Sequence, residues 1–292
     1  MSASRVIGAW GNTRLRLWRL ERGKVADRRE GPGISRTGDP QAALAELLDG
    51  WDDERVILCG MAGARGGLHE TPYVSCPVDF HAWSHQAAQF ELNGRRITIA
   101  PGITGSNDDG RADVMRGEET QAFGAMALDP DLAAGQRLMI LPGTHSKSVR
   151  VEDGRIAGFG THMTGELFDL LGTSTLSLAG AAVANDDDTG FAAGLARSAE
   201  GGALTASLFE ARTAQVRDGK SSGWARGFVS GLLIGTETRA ETMSGPKSVA
   251  LVGEPGLTAR YKEALAHCGV NATVMDGEEC AIAGLRMLDG DD

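Results

Sequence analysis

The feature that most constrains this chain is a turn-and-hairpin that occurs twice. WGNTRLRLWRLERGKV occupies residues 10–25, and LPGTHSKSVRVEDGRI occupies residues 141–156. Each copy reads as strand, Gly/Thr turn, strand, reverse turn, strand. With Gly23 aligned to Gly154, Gly11-Asn12-Thr13 falls within a residue of Gly143-Thr144-His145. In the first copy Leu15 and Leu17 alternate with Arg14 and Arg16, the period of a half-buried strand. Two halves of common design predict two lobes with a cleft between them, a usual home for a small ligand. Length agrees, since 292 residues are long for one core and comfortable for two.

Around the repeat the chain alternates strands and helices. Asp39 and Pro40 suit the cap and first turn of a helix running to Leu48. Val56-Ile57-Leu58-Cys59 is a short buried strand ending in Gly60-Met61-Ala62-Gly63, and Arg137–Leu141 repeats that signal. Residues 64–90 look irregular, Arg95–Ala100 reads as a strand and Glu118–Leu128 as a helix. Asp129-Pro130-Asp131 marks the boundary, giving lobes over residues 1–130 and 131–292. From Thr161 the chain turns helical, at Thr164–Leu171 and around residues 174–184, 191–215 and 224–239, with Asn185–Gly190 as an interrupting loop. It closes with strand Ser248–Val252, helix Leu257–Cys268, strand Ala272–Met275 and helix Glu278–Leu288. The pattern predicts an α/β protein whose mixed sheets are covered by helices.

Several function classes drop out. A formal charge of −10 without a dense run of Lys and Arg argues against nucleic acid as a partner. Cys59, Cys76, Cys268 and Cys280 are scattered with no CxxC pair, which suggests buried thiols in a reducing compartment. The six histidines form no HExxH, and no GxSxG is present, against a zinc enzyme or a simple serine hydrolase. Neither a basic leader nor eighteen uninterrupted apolar residues occur, so the expectation is a cytoplasmic protein with no membrane partner; a homodimer is compatible with the sequence.

The turns suggest what the ligand is. A tight turn of Gly and hydroxyl residues collects backbone N–H groups and short donors that a phosphate oxygen can satisfy together. Gly11, Asn12 and Thr13 form one such turn. Gly143, Thr144, His145, Ser146 and Lys147 form a second, with a cation in reach, although neither is a GxxxxGK[ST] loop. Gly253-Glu254-Pro255-Gly256 joins a buried strand to a helix and would let a ring or ribose lie on the backbone. The densest charged stretch is Asp113-Val114-Met115-Arg116-Gly117-Glu118-Glu119. Phosphoryl transfer to an alcohol needs a carboxylate near the hydroxyl, and Asp113 is the first candidate, with Arg116 and Glu118 beside it. Glu118 and Glu119 are equally suited to capping the helix they open. Arg65 and Arg116 are the guanidinium groups suited to a substrate carboxylate.

Taken together, WGNTRLRLWRL, GMAGARGGLHETPYVSCP, PGITG, DVMRGEETQAFGA, LPGTHSKSVRVEDGRIAGFGTHMTGELFDLL and LVGEPGLTARYKEAL resemble the 2-keto-3-deoxygalactonate kinases (2-dehydro-3-deoxygalactonokinases), in the family's order and over nearly the whole chain. That resemblance implies two ribonuclease H-like lobes of the actin-like ATPase fold. It makes the Gly11 turn a first phosphate loop, the Gly143 turn a second, and Gly253 and Gly256 part of an adenosine loop. The implied reaction moves the γ-phosphate of ATP, with magnesium, to the 6-hydroxyl of 2-keto-3-deoxygalactonate, with Arg65 and Glu119 on the substrate side. The chain departs from the family pattern at Ala9, where an Asp that organises magnesium is usual, at Asn12 in place of Thr, and at Ala64 and Leu68. The alternative the departures raise is a kinase-fold protein that binds nucleotide or sugar acid without turnover, or one that acts on a different acid.

Overall fold

The computed structural model describes residues 4–107, 109–173, 188–243, 245–246 and 248–290. Its strands are β1 (Arg5–Trp10), β2 (Arg14–Glu21), β3 (Lys24–Pro32), β4 (Arg55–Gly60), β5 (Tyr73–Ser75), β6 (Ala88–Leu92), β7 (Arg95–Ile99), β8 (Gly102–Ser106), β9 (Ala112–Met115), β10 (Gln136–Leu141), β11 (Ser146–Glu152), β12 (Arg155–His162), β13 (Ser248–Gly253) and β14 (Asn271–Asp276). The helices are α1 (Pro40–Leu48), α2 (Phe80–Ser84), α3 (Glu118–Leu128), α4 (Thr164–Thr173), α5 (Asp188–Ala199), α6 (Leu204–Asp218), α7 (Ser222–Thr242), α8 (Pro255–His267) and α9 (Gly277–Asp289).

The repeat is real at the level of topology. One sheet has the order β3-β2-β1-β4-β7-β6 and another β12-β11-β10-β13-β14. In each, an antiparallel meander leads through its first strand into parallel pairing. Val6 lies beside Val56 in one sheet and Leu138 beside Val249 in the other. β1, β4 and β13 read as continuous apolar runs because they are buried on both faces, the mark of central strands in a helix-covered sheet. This is the α/β class the sequence predicts, with ribonuclease H-like strand order in both halves.

Contacts divide the chain into one compact unit of residues 1–137, 149–160 and 275–292, and a second of residues 138–148 and 161–274. In the first, Val6, Trp10, Leu15 and Leu17 pack with Leu44 and Leu48 of α1. Asp39 caps that helix by accepting from the amides of Gln41 and Ala42, as its sequence predicts. Helix α9 packs on α3 so closely that a Cβ on Gly124 would lie 1.9 Å from the Cys280 carbonyl oxygen. A boundary at residue 130 would assign α9 to the second half; its packing on α3 groups it with the first unit instead. In the second unit, Leu138, Ile140, Val249 and Leu251 pack with Phe191 and Leu195 of α5 and Tyr261 and Leu265 of α8. The α5–α7 pair is equally tight, since a Cβ on Gly194 would lie 2.1 Å from the Phe228 carbonyl oxygen.

Other local expectations need correction. The stretch read as irregular carries β5, α2 and most of β6, and β5 joins β8 and β9 in a third sheet. Asp188–Gly190, expected in a loop, opens α5, where Asp188 complements the helix dipole. Residues 191–215 span two helices, broken where Gly201 and Gly202 take positive φ. The expected helix around residues 174–184, and residues 185–187 of the expected loop, lie outside the described residues.

Candidate functional site

In the second unit the chain leaves β10 through Pro142 and turns at Gly143, Thr144 and His145 before β11 begins. The Thr144 carbonyl accepts from the Glu166 amide at 2.9 Å. Among the described residues, the amides of Gly143, Thr144 and His145 donate to nothing, so three N–H groups remain in a partly exposed turn. A phosphate can take such donors. His145 Nε2 and Glu166 Oε2 are 2.6 Å apart on the exposed side.

Ser146 and Lys147 differ from the expectation that they face a ligand. Ser146 is 0% exposed and donates its hydroxyl to Glu237 Oε1 at 2.5 Å, while Lys147 is 5% exposed and donates to Thr161 Oγ1 at 2.8 Å. Both sit at the start of a central strand, where the packing that makes the turn rigid also hides them. Glu237 Oε2 accepts from Tyr261 OH at 2.7 Å and from Thr164 Oγ1. Burial raises the pKa of Glu237, while the nearby His162 and the three hydroxyls oppose that rise. Burial, with Glu237 next in size, holds the Tyr261 phenol well above its usual range.

The third turn falls beside the second. A Cβ on Gly253 would lie 3.6 Å from Pro142 Cδ, and Gly256 lies in the first turn of α8. Gly143 and Gly256 line one cavity of about 230 Å³ together with Thr164, Phe168, Arg260 and Tyr261. Two turns singled out in the sequence more than a hundred positions apart thus share one concave site, with an apolar wall and an α8 N-terminus suited to anionic charge.

In the first unit, Gly11, Asn12 and Thr13 form an exposed turn whose carbonyls are taken: Ile34, Ser35 and Gly33 amides donate to them at 3.2, 3.2 and 3.0 Å. The Asn12 and Thr13 amides donate to no described group. Ala9 lies opposite Arg16 on β2 and Cys59 on β4.

The charged stretch from Asp113 folds as β9 and the entry to α3. Arg116 is clamped: it donates from Nη2 to the Thr71 carbonyl at 2.9 Å, from Nη1 to Thr71 Oγ1 and from Nε to Tyr73 OH at 3.3 Å, and it stacks 4.2 Å from the Tyr73 ring centroid. Three of its N–H groups are engaged in a fixed plane and two remain for a ligand, counting described partners. Asp113 is half-buried on β9 and accepts from the Val114 amide at 2.7 Å. Arg65 is exposed in the turn after Gly63, and a Cβ on Gly63 would lie 2.7 Å from Arg116 Nη1.

Glu118 and Glu119 cap α3. Glu118 Oε2 accepts from the Arg116 amide at 3.2 Å, and both Glu119 oxygens take the Gly117 amide at 2.8 and 2.7 Å. Gly117 has φ +117 and sits with a would-be Cβ 3.3 Å from Gly60 Cα, so a side chain there meets both strain and backbone. Glu119 is 0% exposed, so it is a buried cap instead of the substrate contact the sequence suggested. Burial, then the neighbouring Glu118, push its pKa up to about 8.

Sequence reasoning missed Thr71 and Tyr73, which shape Arg116, and Thr164, Glu237 and Tyr261. A carboxylate at the end of the mostly apolar, buried stretch Phe228–Thr238 was the available signal for Glu237, since a buried charge demands partners.

Duplicated ribonuclease H-like sheets with glycine turns at the ends of their strands define the class that contains sugar kinases and actin-like ATPases. Within it, the chain belongs to the 2-keto-3-deoxy-galactonokinase family, whose model matches residues 9–288. A protein of Rhizobium meliloti (strain 1021), provisionally named a 2-dehydro-3-deoxygalactonokinase, is 39% identical over 292 residues, 94% of this chain and 93% of its own. The 2-dehydro-3-deoxygalactonokinase of Escherichia coli (strain K12) is 35% identical over 295 residues, 99% of this chain and 98% of its own. A crystal structure of a Sinorhizobium meliloti protein, provisionally assigned the same activity, is similar with TM-score 0.87 at 35% identity and 97% coverage of both chains.

Proposed function

We propose that this chain phosphorylates the 6-hydroxyl of 2-keto-3-deoxygalactonate with ATP. Family membership supports the reaction, and the single structural observation that carries it is the cavity shared by the Gly143 and Gly256 turns. The second unit then holds the nucleotide. Amides of Gly143, Thr144 and His145 take phosphate oxygens, the Gly253–Gly256 turn lies along the ribose or base, and Ser146 and Lys147 stiffen the turn from behind. The first unit holds the sugar acid. Arg116, locked flat by Thr71 and Tyr73, presents its remaining N–H groups to the carboxylate with Arg65 nearby, and Asp113 takes the proton of the attacking hydroxyl.

Magnesium fits this chain as a metal carried on the nucleotide. Among the described residues no three His, Cys, Asp or Glu side chains converge as a resident site would require, whereas a phosphate-borne Mg²⁺ needs only one or two protein carboxylates. Glu118 is the half-buried carboxylate for that role, since Glu119 is committed to Gly117 and Asp113 is the proposed base. Bound there, the ion would neutralise charge on the phosphates.

Ala9 supports one other reading, a binding protein without turnover, because a methyl group cannot orient a metal's waters. ADP release from ATP, measured with magnesium and with or without 2-keto-3-deoxygalactonate, decides between them. Release that depends on the sugar acid is the expected result. Nucleotide binding without release would favour the second reading.

A further inference from the structure

We infer that Glu237 is a positioning residue for nucleotide binding, a carboxylate behind the cavity wall that holds the Gly143 turn, the start of α4 and helix α8 in one arrangement. The inference rests on the nucleotide assignment above. Glu237 is 2% exposed, in the C-terminal third of α7, and does not itself line the cavity. A buried carboxylate is costly unless its oxygens are satisfied, and here the donors come from three other elements: Ser146 at the head of β11, Thr164 at the head of α4 and Tyr261 on α8. Each donor belongs to a segment that contributes to the cavity. Thr164 and Tyr261 line it directly, Ser146 directly follows the Gly143–His145 turn, and Gly256 and Arg260 precede Tyr261 on the same helix.

The direction of these bonds matters. With all three hydroxyl protons pointing at one carboxylate, loss of its acceptor capacity unties three segments together. Such coupling differs from ordinary core packing, where a single substitution loosens its own neighbours in proportion to the volume removed. His162, paired with Glu241 at 2.7 Å, opposes the rise that burial causes in the pKa of Glu237.

The test compares Glu237→Gln and Tyr261→Phe in the full chain. Glutamine keeps the shape but replaces an acceptor by a donor, and Tyr261→Phe removes only one of the three donors, so it keeps the idea testable if the first variant folds poorly. Calorimetry with a non-hydrolysable ATP analogue is expected to show affinity weakened about tenfold or more in Glu237→Gln and several-fold in Tyr261→Phe, with the KM for the sugar acid unchanged. Amide hydrogen exchange without nucleotide is expected to quicken together at residues 143–147, 164–167 and 257–261, while β1 and β4 stay as in the parent. Wild-type nucleotide affinity in both variants, or unchanged exchange in those segments, overturns the inference. A parent chain that binds no adenine nucleotide overturns the functional assignment instead, and the exchange arm still decides whether Glu237 couples the segments.

Discussion

The two β-meanders share a topology and differ in what stands behind their turns. Behind the Gly143 turn lie Ser146, Lys147 and Ser148, all buried, with Glu237 bonded to the first of them. Behind the Gly11 turn lies Trp10, buried, with its indole on the Pro32 carbonyl, preceded by Ala9. The first turn is held through its carbonyls by the amides of residues 33–35; the second is held by the Glu166 amide on the Thr144 carbonyl and, just after the turn, by the bond of Ser146 to buried Glu237 of α7. Duplication therefore preserves the strand order while the chemistry behind each turn diverges. The turn anchored by buried polar groups adjoins a cavity.

The largest effect expected is at Asp113. Replacing it with Asn removes the proposed base and should lower kcat by about a thousandfold while leaving ATP-analogue affinity within about twofold, as steady-state kinetics beside calorimetry would show. Full activity in Asp113→Asn removes it from the mechanism and with it the assignment of acid chemistry to the first unit. Arg116→Lys should follow, raising the KM for the sugar acid roughly 10- to 100-fold with little change for ATP, because an ammonium cannot hold the flat clamp between Thr71 and Tyr73. An equal rise in both KM values would mean that Arg116 only supports the fold.

Glu119 sharpens the contrast between the two buried glutamates. Its pKa, raised to about 8 against an ordinary value of 4.5, means the folded chain holds a proton that the unfolded chain gives up. That contribution to stability is complete below about pH 4.5 and is lost as pH rises through about 8. Thermal unfolding between pH 5 and 8 should therefore show Tm falling with pH in the parent and flattening in Glu119→Gln, by an amount on the order of a few kcal/mol. An identical slope in the two proteins contradicts the assignment. The smallest effect expected is from Ala9→Asp. If the first turn works through its backbone, as its bonded carbonyls suggest, turnover should change by less than about threefold, since the new carboxylate would meet Arg16 across the strands. A gain of tenfold or more would favour the non-catalytic reading.

Much of this was readable from sequence where a local rule carries a global meaning. The strand period of Arg14–Leu17, the capped Asp39-Pro40 start and the unbroken apolar runs of β4 and β10 each announce their element. So did the spacing that put Gly143 and Gly256 at strand ends, which the fold brings to one cavity. What stayed hidden depends on partners distant in the chain. Ser146 looked like a ligand contact because nothing near it reveals Glu237, which lies 91 positions away. Glu119 looked like a substrate contact because its reach back to Gly117 depends on a glycine at φ +117. The third sheet was missed because β5 and β9 are only three and four residues long, too short for periodicity to declare itself.

The most direct test of the central claim is amide hydrogen exchange of the intact chain with and without a non-hydrolysable ATP analogue and magnesium. New protection at Gly143–His145 and across the first turns of α8, Gly256 to Tyr261, is the predicted result. Protection that leaves both segments unchanged and appears elsewhere would contradict the assignment of the nucleotide to the second turn.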